Sequence, residues 1–442
     1  MKKFLLLIAS IVMIFTMASF AYAGEYDIVP ISALPGGGPT VIAPNPNSGI
    51  RVQNNGEYID FVDVNPQIIN DRTMVPFRKI FNSLGVTDEN ITWTADTRTV
   101  NAKKDNVEIE LQIDNNVAKK IVSGEVTNIT LDSAPVIRDG RTLVPVRFIA
   151  ESMDRKVSWD AENRVVVIAD VKGMIEDLKN SMPNYFELVE AIKGVPKTYK
   201  ATMKVTGTVD YKNTSNKSEN TNLNVNADIT MAKALNAISM DIDCKLTGKG
   251  SVYDIIKNNK LTDIKLKGII TEDKMYLYSP LLEEQTSGKW ILRSGEGTNL
   301  FEKANVKVDF EKYLEEVEFD ANTYSALKEV LEILKKVLSD ENVTISGTTT
   351  KKYEVKIDAL KLLKEYLTSE ELKEFSLENC LVTLSGTIQN GFSTRGGLKL
   401  NLKLGLDDET IKVDLSADCK LTNVNESISV KIPTGDQVIV SE

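Results

Sequence analysis

The chain has 442 residues, with 63 acidic and 53 basic side chains, three cysteines and no histidine. Its length fits two to four domains of roughly 100–200 residues each. The absence of histidine excludes Ser-His-Asp and Cys-His catalysis, HExxH zinc hydrolysis and histidine-held copper or haem. A formal net charge of −10 argues against a protein that wraps nucleic acid, because such binding depends on basic contacts with phosphates.

The first 23 residues have the pattern of a secretory signal peptide. Lys2 and Lys3 supply the positive start, an apolar run follows, and Ala21 and Ala23 precede the expected cleavage between Ala23 and Gly24. The apolar run is shorter than the ~20 residues that a membrane-spanning helix needs, and no second run is long enough. Lipid attachment is not expected, because Gly24 rather than cysteine follows the cleavage point. We therefore expect a secreted or cell-wall-associated protein with no membrane span after cleavage.

Residues 24–49 carry five prolines and a run of three glycines. This composition cannot build an apolar core, and it predicts an extended linker.

Residues 50–170 contain two copies of one pattern, which predicts a tandem βα domain. The segment from Pro66 to Ile80 returns from Pro135 to Ile149, at a constant offset of 69 residues. In each copy a turn dipeptide, Asn70-Asp71 or Asp139-Gly140, precedes a short strand, and a proline then opens a helix. The helices are expected to bury the residues that recur with helical spacing, namely Phe77, Ile80, Phe81 and Leu84 in the first copy and Val146, Ile149, Ala150 and Met153 in the second.

Ten signature residues mark the two copies, and we interpret them as structural. In each copy a tryptophan opens a later strand and is expected to cover the core. Arg78 and Arg147 could contact a ligand. Pairing of each guanidinium with a carboxylate or carbonyl of its own copy is the favoured interpretation, because both copies need it equally. The signature residues are Arg72, Pro76, Arg78, Trp93 and Arg98, with their counterparts Arg141, Pro145, Arg147, Trp159 and Arg164.

The Arg-Thr-(Leu/Met)-Val-Pro-x-Arg core with its later tryptophan resembles the N-terminal or stalk domain of copper amine oxidases, which often occurs in tandem on exported proteins of Gram-positive bacteria. The resemblance covers residues 50–170 and implies an accessory module without chemistry of its own. The oxidase itself needs copper-binding histidines and a tyrosine that becomes a quinone cofactor. This chain has no histidine, and its Asn184-Tyr185 lies in a predicted helix, so no metal and no cofactor is expected.

Residues 171–442 are expected to form a β-rich domain after a linking helix over residues 173–193, which Pro183 kinks or divides. Apolar stripes predict helices from Leu327 to Leu338 and from Ile357 to Leu367. Alternation of apolar and polar residues predicts strands at 199–211, 223–231, 238–246, 261–269, 275–278, 377–388, 398–406 and 411–421.

The predicted fold class is α+β, in which the tandem domain is followed by a large curved antiparallel sheet with amphipathic helices on its concave side. A capping box at Thr368–Glu371 starts one short helix, and Pro433–Glu442 is expected to be a loose tail. The pattern is similar to the half-barrel domains of bacterial lipoprotein carriers. That resemblance implies acyl chains held between sheet and helices, and the alternative is a packed core without a pocket.

The three cysteines, Cys244, Cys380 and Cys419, lie on apolar faces of alternating segments. We interpret them as small buried residues of a sheet. The alternative is one disulfide between two strands with one thiol left over.

These observations predict an exported, non-catalytic envelope protein whose partner is a cell-wall or other envelope component, or a lipid-like ligand. Two alternatives remain open. A carboxylate-dependent hydrolase of wall or polysaccharide would need two acids that face each other across a cleft. A homotypic assembly protein would need a self-complementary surface.

Overall fold

The computed structural model describes residues 49–194, 196–294, 314, 316–366, 377–406 and 408–440. The predicted signal peptide, the linker up to residue 48 and the capping box at residues 368–371 lie outside these ranges. The described residues divide into two compact units. The tandem unit contains residues 49–180 and the described residues from 314 to 332. The sheet unit contains the described residues from 181 to 294 and from 333 to 440.

The structure is α+β and rich in strands. The strands of the tandem unit are β1 Arg51–Asn54, β2 Glu57–Tyr58, β3 Gln67–Ile69, β4 Arg72–Pro76, β5 Ile91–Thr94, β6 Thr99–Lys104, β7 Val107–Gln112, β8 Val117–Val122, β9 Glu125–Thr130, β10 Val136–Arg138, β11 Arg141–Pro145, β12 Lys156–Asp160 and β13 Val165–Ala169. The strands of the sheet unit are β14 Tyr199–Asn213, β15 Thr221–Lys233, β16 Ala237–Gly250, β17 Asp263–Thr271, β18 Lys274–Tyr278, β19 Trp290–Ser294, β20 Val343–Ser346, β21 Thr350–Asp358, β22 Leu377–Gln389, β23 Phe392–Leu406, β24 Glu409–Thr422 and β25 Val438–Val440. The helices are α1 Phe77–Ser83, α2 Val146–Ser152, α3 Val171–Ser181, α4 Pro183–Ala191, α5 Ser251–Asn258, α6 Glu283–Thr286, α7 Ala321–Val337 and α8 Ala359–Tyr366.

The pairing of β4 with β11 is the centre of the tandem unit. Val75 lies opposite Val144, and these two residues occupy equivalent positions in the two copies. The copies therefore meet about a local twofold axis. Helices α1 and α2 follow these strands directly, and all eight core residues predicted for them are buried. Pro76 and Pro145 each precede the first helical residue, where the missing N–H breaks no helical hydrogen bond.

Both predicted turn dipeptides form two-residue hairpin loops. Asn70 and Asp71 have φ angles of 51° and 57°, and Asp139 and Gly140 have φ angles of 46° and 72°. Two consecutive positive φ angles are what a type I′ turn requires. Each hairpin joins one strand to the central pair, which gives the order β10-β11-β4-β3. The other two sheets of this unit have the orders β12-β13-β1-β2 and β5-β6-β7-β8-β9.

Residues 316–332, which we call the return segment, pack within the tandem unit although they lie far along the chain. Phe319 and Tyr324 are each 2% exposed. The backbone N–H of Phe319 donates to Ser158 Oγ (3.3 Å), and the backbone N–H of Ala321 donates to Asp160 Oδ2 (3.2 Å). The prediction that the helix from residue 327 covers the large sheet is therefore wrong up to residue 332.

The sheet unit is built on twelve strands in the order β20-β21-β22-β23-β24-β14-β15-β16-β17-β18-β19-β25. All eight strands predicted from alternation are present. Strand β24 pairs with β14, which brings the two ends of this half of the chain together. Strand β25 pairs in parallel with β19, so the prediction of a loose tail after Pro433 is wrong for residues 438–440. Strand β21 runs to Asp358, so the helix predicted from Ile357 begins two residues later.

Two helices cover parts of the apolar face of this sheet. Val252 and Ile256 of α5 pack in the cluster formed by β14, β15, β16 and β24. Leu188 of α4 packs with Val343 and Val355 near the other end. The predicted division of the linking helix lies at Met182, because Pro183 is the first residue of α4. Within the described ranges, no helix combines the length and apolar character that crossing a bilayer requires.

Candidate functional site: a groove in the first copy

A groove of about 790 Å³ lies in the tandem unit, where the first copy meets the β10–β11 hairpin of the second. Its floor is apolar and its rim is polar. The floor is formed by buried residues that include Phe61, Val64, Pro76, Phe77, Ile91 and Val100, and the rim by exposed residues that include Asp63, Arg78, Lys79, Asn82, Trp93 and Arg141.

Trp93 forms part of one wall of the groove. It lies in β5, the edge strand of its sheet, two residues after the buried Ile91. Residues two apart in a strand share a face, but at this edge 43% of the Trp93 surface remains exposed. Trp159 in β12, another edge strand, is also 43% exposed. The prediction that these tryptophans cover the core therefore holds only for part of each side chain.

Arg78 lies at the start of α1 and forms an ion pair inside its own copy. Its Nη1 is 2.9 Å from Asp88 Oδ1, and the Asn82 Nδ2 donates to the same oxygen at 3.2 Å. These side-chain hydrogen bonds, with Arg78 the larger contribution, lower the pKa of Asp88 below its ordinary value. Asp88 therefore stays ionised at neutral pH and balances the guanidinium charge at the rim.

Arg141 reaches the groove from the second copy and pairs with Asp63 of the first. Its Nη2 and Nε lie 2.6 and 3.1 Å from Asp63 Oδ2. The equivalent residues form the reciprocal pair, with Arg72 Nε 2.7 Å from Asp132 Oδ2. This exchange of partners follows from the local twofold axis between β4 and β11. For Arg78 and Arg147 the sequence predicts pairing within one copy, whereas Arg141 and Arg72 pair across the two copies.

The groove brings together four of the ten signature residues, Pro76, Arg78, Trp93 and Arg141. The others lie elsewhere in the tandem unit. Arg147 is 4.0 Å from Glu151, one helical turn away. Arg98 and Arg164 each have a φ of 53° in the turn before a closing strand, so their backbone shapes that turn. The remaining residues outside the groove are Arg72, Pro145 and Trp159.

Asp63 and Val62 were missed by the sequence analysis. The repeat itself contains the signal for Asp63, because Asp63 and Asp132 precede Pro66 and Pro135 by the same three residues. Val62 differs from its counterpart Leu131 in environment, since Val62 is 80% exposed and Leu131 is 5% exposed. An apolar side chain is therefore left in solvent beside the first-copy groove and is buried in the second copy.

The groove combines an apolar floor, a half-exposed indole and ion pairs at its rim, and these are features of a surface that holds a ligand. Within the described ranges, no group of three or more cysteine, aspartate or glutamate side chains is placed to hold a metal ion.

Residues 53–168 match the family model of the copper amine oxidase N-terminal domain. This match confirms the resemblance seen in the sequence for that part of the chain, and the family is a non-catalytic stalk domain. No curated protein matches the chain.

Two solved structures are similar to the chain at a low level. One, described as showing lipid–protein interactions in lipovitellin, has 6% sequence identity and a TM-score of 0.24, with 54% of this chain and 26% of that chain covered. The other, a β-barrel-like protein of a domain of unknown function from Brucella abortus, has 7% identity and a TM-score of 0.14, with 51% and 98% covered. The chain thus spans about a quarter of the lipovitellin chain.

Proposed function

We propose that the chain is an exported, non-catalytic binding protein of the bacterial cell envelope, whose tandem unit attaches to a cell-surface polysaccharide through the first-copy groove. Export is supported by the signal-peptide pattern of residues 1–23. A non-catalytic role of the tandem unit is supported by its family match.

The observation that carries the proposal is the half-exposed indole of Trp93 in a groove with a polar rim. A large aromatic surface left in solvent beside the exposed Val62 is a feature of binding sites. The face of an aromatic ring carries partial negative charge and packs well against the C–H groups of a sugar ring.

The paired arginines at the rim, which also carries Lys79, suit a hydroxyl-rich ligand. The two guanidinium groups at the rim are held by Asp88 and Asp63, so neither is left without a counter-charge. Together with Asn82 they offer both donors and acceptors, which match sugar hydroxyls. An acyl chain would displace water from these charged pairs without offering hydrogen bonds in its place, which is unfavourable. The geometry therefore supports a polysaccharide over a lipid.

Binding to purified cell-wall polysaccharide tests the proposal. In a co-sedimentation assay, Trp93→Ala is expected to weaken binding at least about tenfold, which corresponds to ~1.4 kcal/mol. Trp159→Ala is the matched control, because that side chain is equally exposed in the second copy and lies outside the groove. The control should bind within about twofold of the wild type, well under 1 kcal/mol.

Equal losses for the two variants, or wild-type binding by Trp93→Ala, would reject the groove as the site. Release of soluble reducing sugar during the assay would instead show hydrolysis and overturn the non-catalytic role.

A further inference from the structure

A second groove, of about 730 Å³, spans six neighbouring strands of the large sheet, from β21 to β15, and its lining includes residues of both faces. Thr202 and Lys204 are exposed along β14, whereas Met203 between them is buried in the core. The exposed residues of the lining therefore lie on the face opposite to the apolar core, whereas Met203, Ile229 and Cys419 of the same lining belong to the core face.

One cross-strand row of this groove contains cations and hydroxyl groups but no acid. Every member carries a hydrogen-bond donor. Neighbouring strands are ~4.8 Å apart, so the six side chains extend over about 24 Å. From strand to strand the row consists of Lys352, Thr387, Arg395, Lys420, Thr202 and Thr230.

The three cations of this row are not balanced by the sheet. Arg395 and Lys420 are direct cross-strand partners, and like charges in that position destabilise a sheet. Among the described residues, neither they nor Lys352 form an ion pair.

Other lysines on the same face lie beside carboxylates. Lys356 Nζ is 2.7 Å from Glu354 Oε1, and Lys412 Nζ is 2.6 Å from Asp414 Oδ2. These two lysines are therefore balanced by carboxylates, unlike the three cations of the row.

The groove also contains two carboxylates, Asp228 and Asp418, which lie on the next row. Both are cross-strand partners of Lys204, one on each side. In the strand register the two carboxylates flank Lys204, and the row of Arg395 and Lys420 forms the positive edge of the groove.

We propose that this row binds a linear polymer of phosphodiester groups, at a site separate from the first-copy groove of the tandem unit. Arginine and lysine form strong charge-assisted hydrogen bonds with phosphate oxygens, and the threonine hydroxyls add neutral donors. The length of the row exceeds what one phosphate fills. Single-stranded nucleic acid is disfavoured, because its bases need aromatic platforms and the row has none.

Fluorescence anisotropy with labelled poly(glycerol phosphate) tests the inference on the chain from Gly24 onward. The double variant Arg395→Gln/Lys420→Gln should weaken binding at least about tenfold. The slope of log Kd against log salt concentration should also become shallower by the contribution of roughly two cations, because two fewer cations contact phosphate. The control Lys356→Gln/Lys412→Gln removes the same net charge from the same face, at residues already paired with carboxylates. It should bind within about twofold of wild type.

Further measurements separate the other outcomes. Melting temperatures of both variants should match wild type or rise, which shows that the exposed substitutions leave the fold intact. Trp93→Ala should leave polymer binding unchanged, so failure of the polysaccharide proposal is distinguishable from failure of this one. Equal losses of polymer affinity in the two double variants would show that binding depends on overall charge and not on this row, and would overturn the site. Competition by inorganic phosphate at equal phosphate concentration, or tighter binding of a DNA homopolymer, would also overturn it.

Discussion

At the scale of single residues, Asp160 shows how hydrogen bonds can outweigh burial. Its side chain is 6% exposed, and the loss of hydration favours the neutral acid. Asn163 donates to it from both backbone (3.0 Å) and side chain (2.9 Å), and Ala321 donates from the return segment. Burial raises the pKa, but these hydrogen bonds together lower it below its ordinary value. The carboxylate is therefore ionised where it holds the return segment.

Acid should weaken the tandem unit through Asp160. A lowered pKa in the folded state means that its contribution is present above the unfolded value of about 3.9 and is lost as pH falls through the folded value. Asp160→Asn should reduce the free energy of unfolding at pH 7 by about 1–3 kcal/mol, because an amide nitrogen would face N–H donors. Urea denaturation at pH 7 and at pH 3.5 measures both effects. A variant with unchanged stability at pH 7 would contradict this role.

At the scale of elements, the return segment belongs to the tandem unit, although the sequence places the end of that domain at residue 170. Phe319 makes an edge-to-face contact with Tyr324, with ring centres 5.4 Å apart. The hydroxyl of Tyr324 donates to Asn55 Oδ1 at 3.3 Å, and that oxygen also accepts from the backbone N–H of Asp170. A helix from the second half of the chain thus joins the first and last parts of the tandem unit.

Removal of the Phe319 ring should destabilise the tandem unit strongly. Phe319→Ala is expected to reduce the free energy of unfolding by about 3–5 kcal/mol, the usual loss for a buried phenylalanine. Hydrogen exchange should become faster at the β12 amides, beside which the segment packs. Glu318→Ala is the control, since that neighbouring side chain is exposed, and it should stay within about 0.5 kcal/mol of wild type. Slow β12 exchange in Phe319→Ala would show that the segment is not needed there.

At the scale of the whole molecule, the sheet keeps its three cysteines apart. Cys244 lies in β16, Cys380 in β22 and Cys419 in β24, and all are free. Strand β23 separates the nearest two of these strands, so their backbones are about 10 Å apart. A disulfide tolerates about 7 Å between Cα atoms, so the alternative of a bridge between two strands is wrong.

Cys244 and Cys419 should react slowly until the sheet unit unfolds. Burial raises the pKa of Cys419 to about 11 and also raises the pKa of Cys244, so both are protonated at neutral pH. We expect the same melting temperature with and without reductant, and slow reaction of these two thiols with a thiol reagent. In urea all three thiols should react rapidly. A reductant-dependent melting temperature would contradict the free-cysteine arrangement.

The sequence by itself determined the features that depend on short-range pattern. Alternation located all eight predicted strands of the large sheet, because the two faces of a strand differ in solvent exposure. The repeat located the helices α1 and α2 and their buried residues, because helical spacing places an apolar stripe against the core.

Only the tertiary structure decided which distant residues meet. The Arg141–Asp63 pair depends on the twofold pairing of β4 with β11. The position of the return segment depends on hydrogen bonds between residues some 160 positions apart. The cationic row depends on strand register, which brings residues from six strands side by side. Local pattern fixes which face of an element a side chain occupies. It does not fix the partner across that face, because the partner comes from contacts between elements that are distant in sequence.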